Sequence, residues 1–68
     1  MQSALTSFRK EQDLTLEALG EALGVNKSTV LRWERDGVPA ERAVEIEKVF
    51  GGKIKRQELR PDIFGVAA

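Results

Sequence analysis

The stretch TLEALGEALGVNKSTVLRWERDG, residues 15–37, decides the fold of this chain. Thr15 is a candidate N-cap, because a threonine hydroxyl can accept a hydrogen bond from a free N–H in the first helical turn. Apolar residues then recur at three- and four-residue spacing, which predicts a helix with one apolar face. Gly24 predicts the end of that helix, since glycine adopts the left-handed conformation without a steric penalty. Asn26 is the candidate cap of a second helix ending at Gly37, so the stretch predicts two short helices joined by a tight turn.

The spacing of these residues resembles the helix-turn-helix of phage Cro and repressor proteins. That family has apolar residues at five fixed places, a small residue (more often alanine) where the two helices cross, and a glycine in the turn. The chain matches the apolar places with Leu19, Leu23, Val25, Val30 and Trp33, the crossing with Gly20 and the turn with Gly24. Two later stretches are also similar to Cro-like relatives, including the YdaS group: VPAER followed by IE in residues 38–47, and LRPDIF in residues 59–64.

The resemblance implies a fold and a function together. The expected fold is a single all-α domain over residues 1–68, a compact bundle of about five short helices of the lambda repressor type. The expected function is regulation of transcription in the manner of phage or prophage Cro, by a homodimer that represses through occupying its operator. The expected partner is double-stranded DNA with two-fold symmetry, whose half-sites lie about 34–36 Å apart.

Length and composition limit the alternatives. A chain of 68 residues has room for only one hydrophobic core. It contains neither cysteine nor histidine, so the usual metal ligands and the usual neutral-pH base are missing. We therefore expect no catalysis, no bound metal, no cofactor and no small-molecule ligand. No apolar run approaches the ~20 residues of a membrane span, and the N-terminus has no signal-peptide pattern, so we expect a cytoplasmic protein without a membrane partner.

The charge pattern matters more than the total charge. The net charge is zero, whereas DNA-binding proteins are commonly basic because neutralising phosphates supplies much of their affinity. However, residues 11–25 contain four acids and no base, residues 26–35 three bases and one acid, and residues 51–60 four bases and one acid. The basic segments thus fall where a DNA-facing surface needs them. We expect a modest affinity for each subunit and a strong salt dependence.

The second helix of the helix-turn-helix, residues 27–36, is the predicted recognition helix. If Val30 and Trp33 point inward, the polar side chains of its first turns face outward and can reach base edges in the major groove. The predicted base contacts are Lys27, Ser28, Thr29 and Arg32. The predicted phosphate contacts are Thr15, Asn26, Arg35, Lys53, Lys55 and Arg56. Trp33 is interpreted as a core anchor rather than a stacking residue.

The flanking segments are predicted to complete the bundle. A first helix is expected from Ser3 to about residue 11, and its Arg9 is expected to pair with Glu34 in preference to contacting DNA. A fourth helix is expected over residues 39–50, with Ala43, Ile46, Val49 and Phe50 turned inward. For residues 55–60 a short helix is favoured over a strand, because no hairpin turn follows.

Residues 52–68 form a candidate dimerisation segment. Ile63, Phe64 and Val66 make an apolar end that so small a domain need not bury, and exposed apolar surface often marks association. The alternative is that Phe64 only covers its own core.

Two alternatives to the repressor remain open. One is a regulator with the same DNA contacts in another circuit, such as an antitoxin or an activator. The other is a helix-turn-helix that binds a protein, which zero net charge and an outward Leu31 would suit. The DNA-binding hypothesis requires that Lys27 and Arg32 be exposed to solvent and not enclosed by acids.

Overall fold

Six helices lie in residues 3–65, the part of the chain that the computed structural model describes. They are α1 (Ala4–Glu11), α2 (Leu16–Leu23), α3 (Lys27–Asp36), α4 (Ala40–Val49), α5 (Arg56–Leu59) and α6 (Pro61–Phe64). The all-α fold with a helix-turn-helix is confirmed, and so is the preference for a helix after residue 55, since this part contains no strand. The sixth helix was not predicted. It begins at Pro61, two residues after the end of α5. None of the helices in residues 3–65 combines the length and the apolar character that crossing a bilayer requires.

The predicted caps set the ends of the first two helices. The Ser3 hydroxyl accepts a hydrogen bond from the Thr6 N–H at 3.1 Å. The Thr15 hydroxyl accepts one from the Ala18 N–H at 3.0 Å. Gly24 ends α2 in the left-handed region, with φ of 72°. Each cap satisfies backbone groups that a helix end leaves without partners, which is why the boundaries fall where the sequence predicts.

The core is built from one or two residues of nearly every element. Its buried side chains are Leu5, Phe8, Leu19, Leu23, Val30, Trp33, Val38, Ala43, Ile46, Ile54 and Leu59. The prediction that Val49 points inward was wrong, because its side chain is 46% exposed. Phe50 lies one turn after Ile46 on the same side of α4 and takes the inward place, packing edge-on against Phe8 with the ring centroids 4.9 Å apart.

Two close contacts fix the position of α3. At the crossing with α2, a Cβ added to Gly20 would lie 2.6 Å from the carbonyl oxygen of Val25, so the turn passes directly over the glycine. From the other side, Arg9 of α1 donates to the Glu34 carboxylate at 2.7 Å and to the Leu14 carbonyl at 3.0 Å. The predicted ion pair between Arg9 and Glu34 is therefore confirmed.

The C-terminal helices are held to the bundle by polar contacts. Glu47 of α4 accepts hydrogen bonds from the backbone N–H of Arg56 at 2.8 Å and from its guanidinium Nε at 3.0 Å. Arg60, between α5 and α6, donates to the Val38 carbonyl at 2.8 Å. These contacts hold α5 against α4, and α6 follows α5. Leu59 of α5 is thereby buried in the core.

Candidate nucleic-acid interface

Helix α3 separates a buried face from a polar face. Val30 and Trp33 are buried in the core, as predicted. Lys27 and Ser28 open the helix on the exposed side, and Arg32 follows Ser28 by one turn. The helix has 10 residues and is therefore about 15 Å long. Its diameter with side chains, about 10–12 Å for any α-helix, matches the ~12 Å width of a DNA major groove.

Lys27 and Arg32 are both exposed, as the DNA-binding hypothesis requires. The Lys27 side chain is 66% exposed, and its nearest carboxylate, that of Glu17, is 4.0 Å from its ammonium. Arg32 is exposed and forms no ion pair with any carboxylate of residues 3–65. Both charges are therefore accessible to a ligand that approaches α3 from solvent.

Arg32 differs in this respect from the other arginines of the chain. Each of the remaining five forms an ion pair within the described part: Arg9 with Glu34, Arg35 with Asp36, Arg42 with Glu45, Arg56 with Glu47, and Arg60 with Asp62. A guanidinium presents a planar fork of donors that matches two neighbouring acceptors. Arg32 is thus the arginine whose donors are left for an external partner.

The remaining predicted base contacts lie beside these two. Ser28 is exposed in the first turn, where its hydroxyl can donate and accept. Thr29 is only half-buried and lies at the flank, next to the buried Val30. Their contacts with bases stay predictions, and the structure places both residues at the end of α3 that would enter a groove first.

The predicted phosphate contacts near α3 are Thr15, Asn26 and Arg35. They differ in which of their polar atoms already form a hydrogen bond within the fold. Asn26 is exposed and occupies the N-cap position, but its side chain makes no capping hydrogen bond to the described residues. Its side-chain amide is therefore free to donate at the N-terminus of α3, a position that favours anions. The Thr15 hydroxyl oxygen accepts from the Ala18 N–H, which leaves its hydrogen free to donate. The phosphate contacts of Asn26 and Thr15 stay predictions.

Arg35 is already paired along its own helix. Its Nε and Nη2 donate to the two carboxylate oxygens of Asp36, both at 3.2 Å. These hydrogen bonds hold the pKa of Asp36 below its ordinary value and raise the pKa of Arg35. A phosphate that contacts Arg35 would have to compete with an ionised carboxylate.

The C-terminal basic residues lie with α1, α4 and α6. Arg56 is paired with Glu47, and its guanidinium lies 5.8 Å from the centre of the Phe64 ring. Lys55 is exposed at the N-cap of α5, and Lys53 lines a small recess against α1. Their phosphate contacts stay predictions, with Arg56 the least available of the three.

An acidic recess lies beside α3, the predicted recognition helix. Glu17 and Glu21 of α2 line an open recess of about 450 Å³ together with Val25, Asn26, Lys27 and Ser28. Both glutamates are exposed to solvent. Their one-turn spacing on α2 and the short turn to α3 were the indications that they would flank Lys27.

The predicted dimerisation residues are divided. The Ile63 side chain is 50% exposed, whereas Phe64 is half-buried and packs against the core under Arg56. Val66 lies outside the described residues. Phe64 therefore packs against the core of its own chain, and Ile63 is exposed apolar surface. Their part in dimerisation stays a prediction.

Comparison with known proteins agrees with the helix-turn-helix. Residues 15–68 match a protein family described as "Bacterial toxin YdaS". The match begins at the N-cap of α2 and includes the whole helix-turn-helix and every later helix. Neither a search of curated proteins nor a search of solved structures found a significant match. Within residues 3–65, no three carboxylates converge to hold a metal ion.

Proposed function

The chain belongs to the bacterial toxin YdaS family. From its helix-turn-helix and the exposed basic residues of α3, we propose that it is a sequence-specific DNA-binding regulator of transcription. A homodimer would place two α3 helices in successive major grooves of an operator with two-fold symmetry. Binding there would exclude RNA polymerase, as in phage or prophage repressors of the Cro type. This activity requires no cofactor and would take place in the bacterial cytoplasm.

One observation carries the proposal: Arg32 is exposed on α3 without a carboxylate partner in residues 3–65, while every other arginine has one. An exposed arginine that is not needed within the fold is suited to donate to the N7 and O6 atoms of guanine. Ser28 lies one turn before it and Lys27 opens the same helix, so three donors share one face.

Binding to random duplexes, followed by selection and sequencing, tests the proposal. The bound pool should converge on a symmetric site, and Arg32→Lys should weaken binding to that site by about 1–3 kcal/mol and relax the preference at one position of each half-site. Lys48→Gln removes an exposed charge on α4 and serves as the control, because it should leave the sequence preference unchanged. Failure to enrich any sequence at low salt would contradict sequence-specific binding.

Charge reversal separates DNA binding from protein binding. The double variant Lys27→Glu, Arg32→Glu should abolish DNA binding while the helical content stays unchanged. Leu31 is 51% exposed on the same helix, which would also suit a protein partner. If the charge-reversed variant still bound a protein that the wild type binds in cells, the protein-binding alternative would be favoured.

Dimerisation on DNA is the remaining part of the proposal. Two half-sites about 34–36 Å apart would require two copies of the chain in fixed orientation. Ile63→Asp should lower cooperativity on the selected site without changing the affinity for a single half-site, since Ile63 is exposed and is not among the predicted DNA contacts. Equal cooperativity in the two proteins would exclude Ile63 from the dimer contact.

The family description favours a second role. Because the family is described as a bacterial toxin, we propose that overproduction of the chain slows bacterial growth through the same DNA-binding surface. Induced expression of the wild type should arrest growth, and the charge-reversed variant should not. Arrest by both proteins would separate the toxic effect from α3.

A further inference from the structure

The recess beside α3 brings acids into contact with the predicted recognition surface. Glu17 and Glu21 form one side of it, and Asn26, Lys27 and Ser28 form the other. If α3 enters a major groove, the phosphates that border the groove approach this recess. The carboxylates would then repel DNA at the place where binding is proposed to occur, which calls for a physical explanation.

The contact between Glu17 and Lys27 offers a physical explanation for acids at this place. Their charged atoms are 4.0 Å apart, and both side chains are largely exposed, at 72% and 66%. The pair joins α2 to α3 across the turn. A lysine ammonium is a compact charge on a flexible stem, so without a neighbouring acid it could move to any phosphate within reach.

Resting on the proposed function, we propose that Glu17 is a specificity-determining residue that prevents Lys27 from contacting phosphates and leaves it for bases. A phosphate that approaches Lys27 also approaches Glu17, so that attraction and repulsion largely cancel. The edge of a guanine is neutral, and Glu17 does not repel it. Lys27 can therefore donate to the N7 and O6 acceptors of guanine while gaining little from the backbone.

The salt dependence of binding distinguishes these two kinds of contact. Each phosphate neutralised in a duplex contributes about −0.9 to the slope of log affinity against log salt, whereas a base contact contributes nothing to it. In Glu17→Gln, Lys27 becomes free to contact a phosphate. The slope on random-sequence DNA should therefore steepen by about 0.9, and the affinity for random DNA should rise roughly fivefold at low salt, the size expected for one pair of charges at this distance in water.

A matched control exists elsewhere in the chain. Glu41 is exposed and, like Glu17, is the second residue of its helix, so Glu41→Gln removes the same charge from the same helical position. Glu41 follows the C-terminal end of α3, whereas Lys27 lies at the N-terminal end. Salt at about 0.1 M screens exposed charges that are more than about 10 Å apart. Glu41→Gln should leave the slope unchanged. The double variant Glu17→Gln, Lys27→Gln should return the slope to that of Lys27→Gln alone.

The experiment measures the four proteins and the wild type on the selected duplex and on random DNA over a range of salt. The inference predicts that Glu17→Gln lowers the ratio of selected to random affinity several-fold, while Glu41→Gln does not. If the wild type binds its selected duplex but Glu17→Gln changes neither ratio nor slope, this inference alone is overturned. If no protein binds any duplex at low salt, the proposed function is overturned and the inference with it.

Discussion

Replacing Gly20 with alanine is expected to destabilise the domain, although alanine is the more common residue at this place in the helix-turn-helix that the sequence resembles. An added Cβ would lie 2.6 Å from the Val25 carbonyl oxygen and 3.4 Å from the carbonyl carbon of Asn26. Both atoms belong to the backbone of the turn, so no side chain can rotate to make room. The turn must move, and with it the start of α3.

The size of the effect is the difference between two terms. Alanine in a helix interior is favoured over glycine by about 1 kcal/mol. Forcing an extra carbon into a packed site costs about 1–3 kcal/mol, and here the displaced turn includes the 2.8 Å hydrogen bond from the Val25 N–H to the Gly20 carbonyl. We expect a net loss of about 1 kcal/mol, which lowers Tm by about 4–8 °C in a domain of this size.

Thermal and urea unfolding followed by circular dichroism measure this difference. Ala22→Gly is the control, because Ala22 is exposed in the same helix and its replacement reports helix propensity alone, a loss of about 1 kcal/mol. If Gly20→Ala instead raises Tm by about as much as Ala22→Gly lowers it, the turn moves aside without cost. The argument from the 2.6 Å approach would then be wrong.

Three further predictions concern the contacts that hold the bundle together. Arg9→Met should lower the free energy of unfolding by about 3 kcal/mol, because the Glu34 side chain, 8% exposed, is left without its partner. In a double-mutant cycle measured by urea unfolding, the losses from substituting Arg9 and Glu34 should not be additive. Trp33→Ala should cost about 3–5 kcal/mol and leave little folded protein at 25 °C by circular dichroism. The backbone N–H and the guanidinium of Arg56 hold the pKa of Glu47 below its ordinary value, so its stabilising effect is present above that value and is lost as pH falls through the lowered pKa. The Tm difference between the wild type and Glu47→Gln should therefore be largest near neutral pH and shrink in acid, and a difference independent of pH would contradict the assignment.

Local rules predicted the first half of the fold. The caps at Ser3 and Thr15 and the left-handed Gly24 act within four residues of their own position, so the sequence contains everything needed to place them. The inward register of Val30 and Trp33 follows from helical periodicity in the same way. These features are independent of distant parts of the chain, and the structure confirms them.

The second half depends on distant partners. Ile54 lies in an irregular segment between two helices, where periodicity has no meaning, yet it is almost fully buried. Val49 and Phe50 compete for one place at the end of α4, and Phe8 of α1 decides the outcome. A sequence pattern cannot choose between adjacent apolar residues when the deciding contact lies some forty positions away.

The same limit applies to the candidate site. The sequence predicted Arg32 as a base contact from its outward register on the recognition helix, and Arg56 as a phosphate contact from its charge. Neither pattern shows whether a distant acid pairs with the guanidinium. Glu47, nine residues before Arg56, takes up that guanidinium in the folded chain. Arg32 lies on the outward face of α3, where no acid of residues 3–65 pairs with it. The folded structure therefore divides the basic residues into those that stabilise the bundle and those that face solvent.

This division bears on the proposed function, because the net charge of the chain is zero. Net charge counts every ionised group equally. The arginines paired with acids create little field beyond their immediate surroundings, because the two charges of each pair are at most 3.2 Å apart and largely cancel at greater distances. The local balance at α3 is different: Arg32 forms no ion pair within residues 3–65, and Lys27 has Glu17 at 4.0 Å, with Glu21 lining the same recess. On the proposed function, α3 itself would gain little from phosphates, and most of its affinity would come from contacts with particular bases. Such a helix would favour discrimination between sequences over tight binding to all of them.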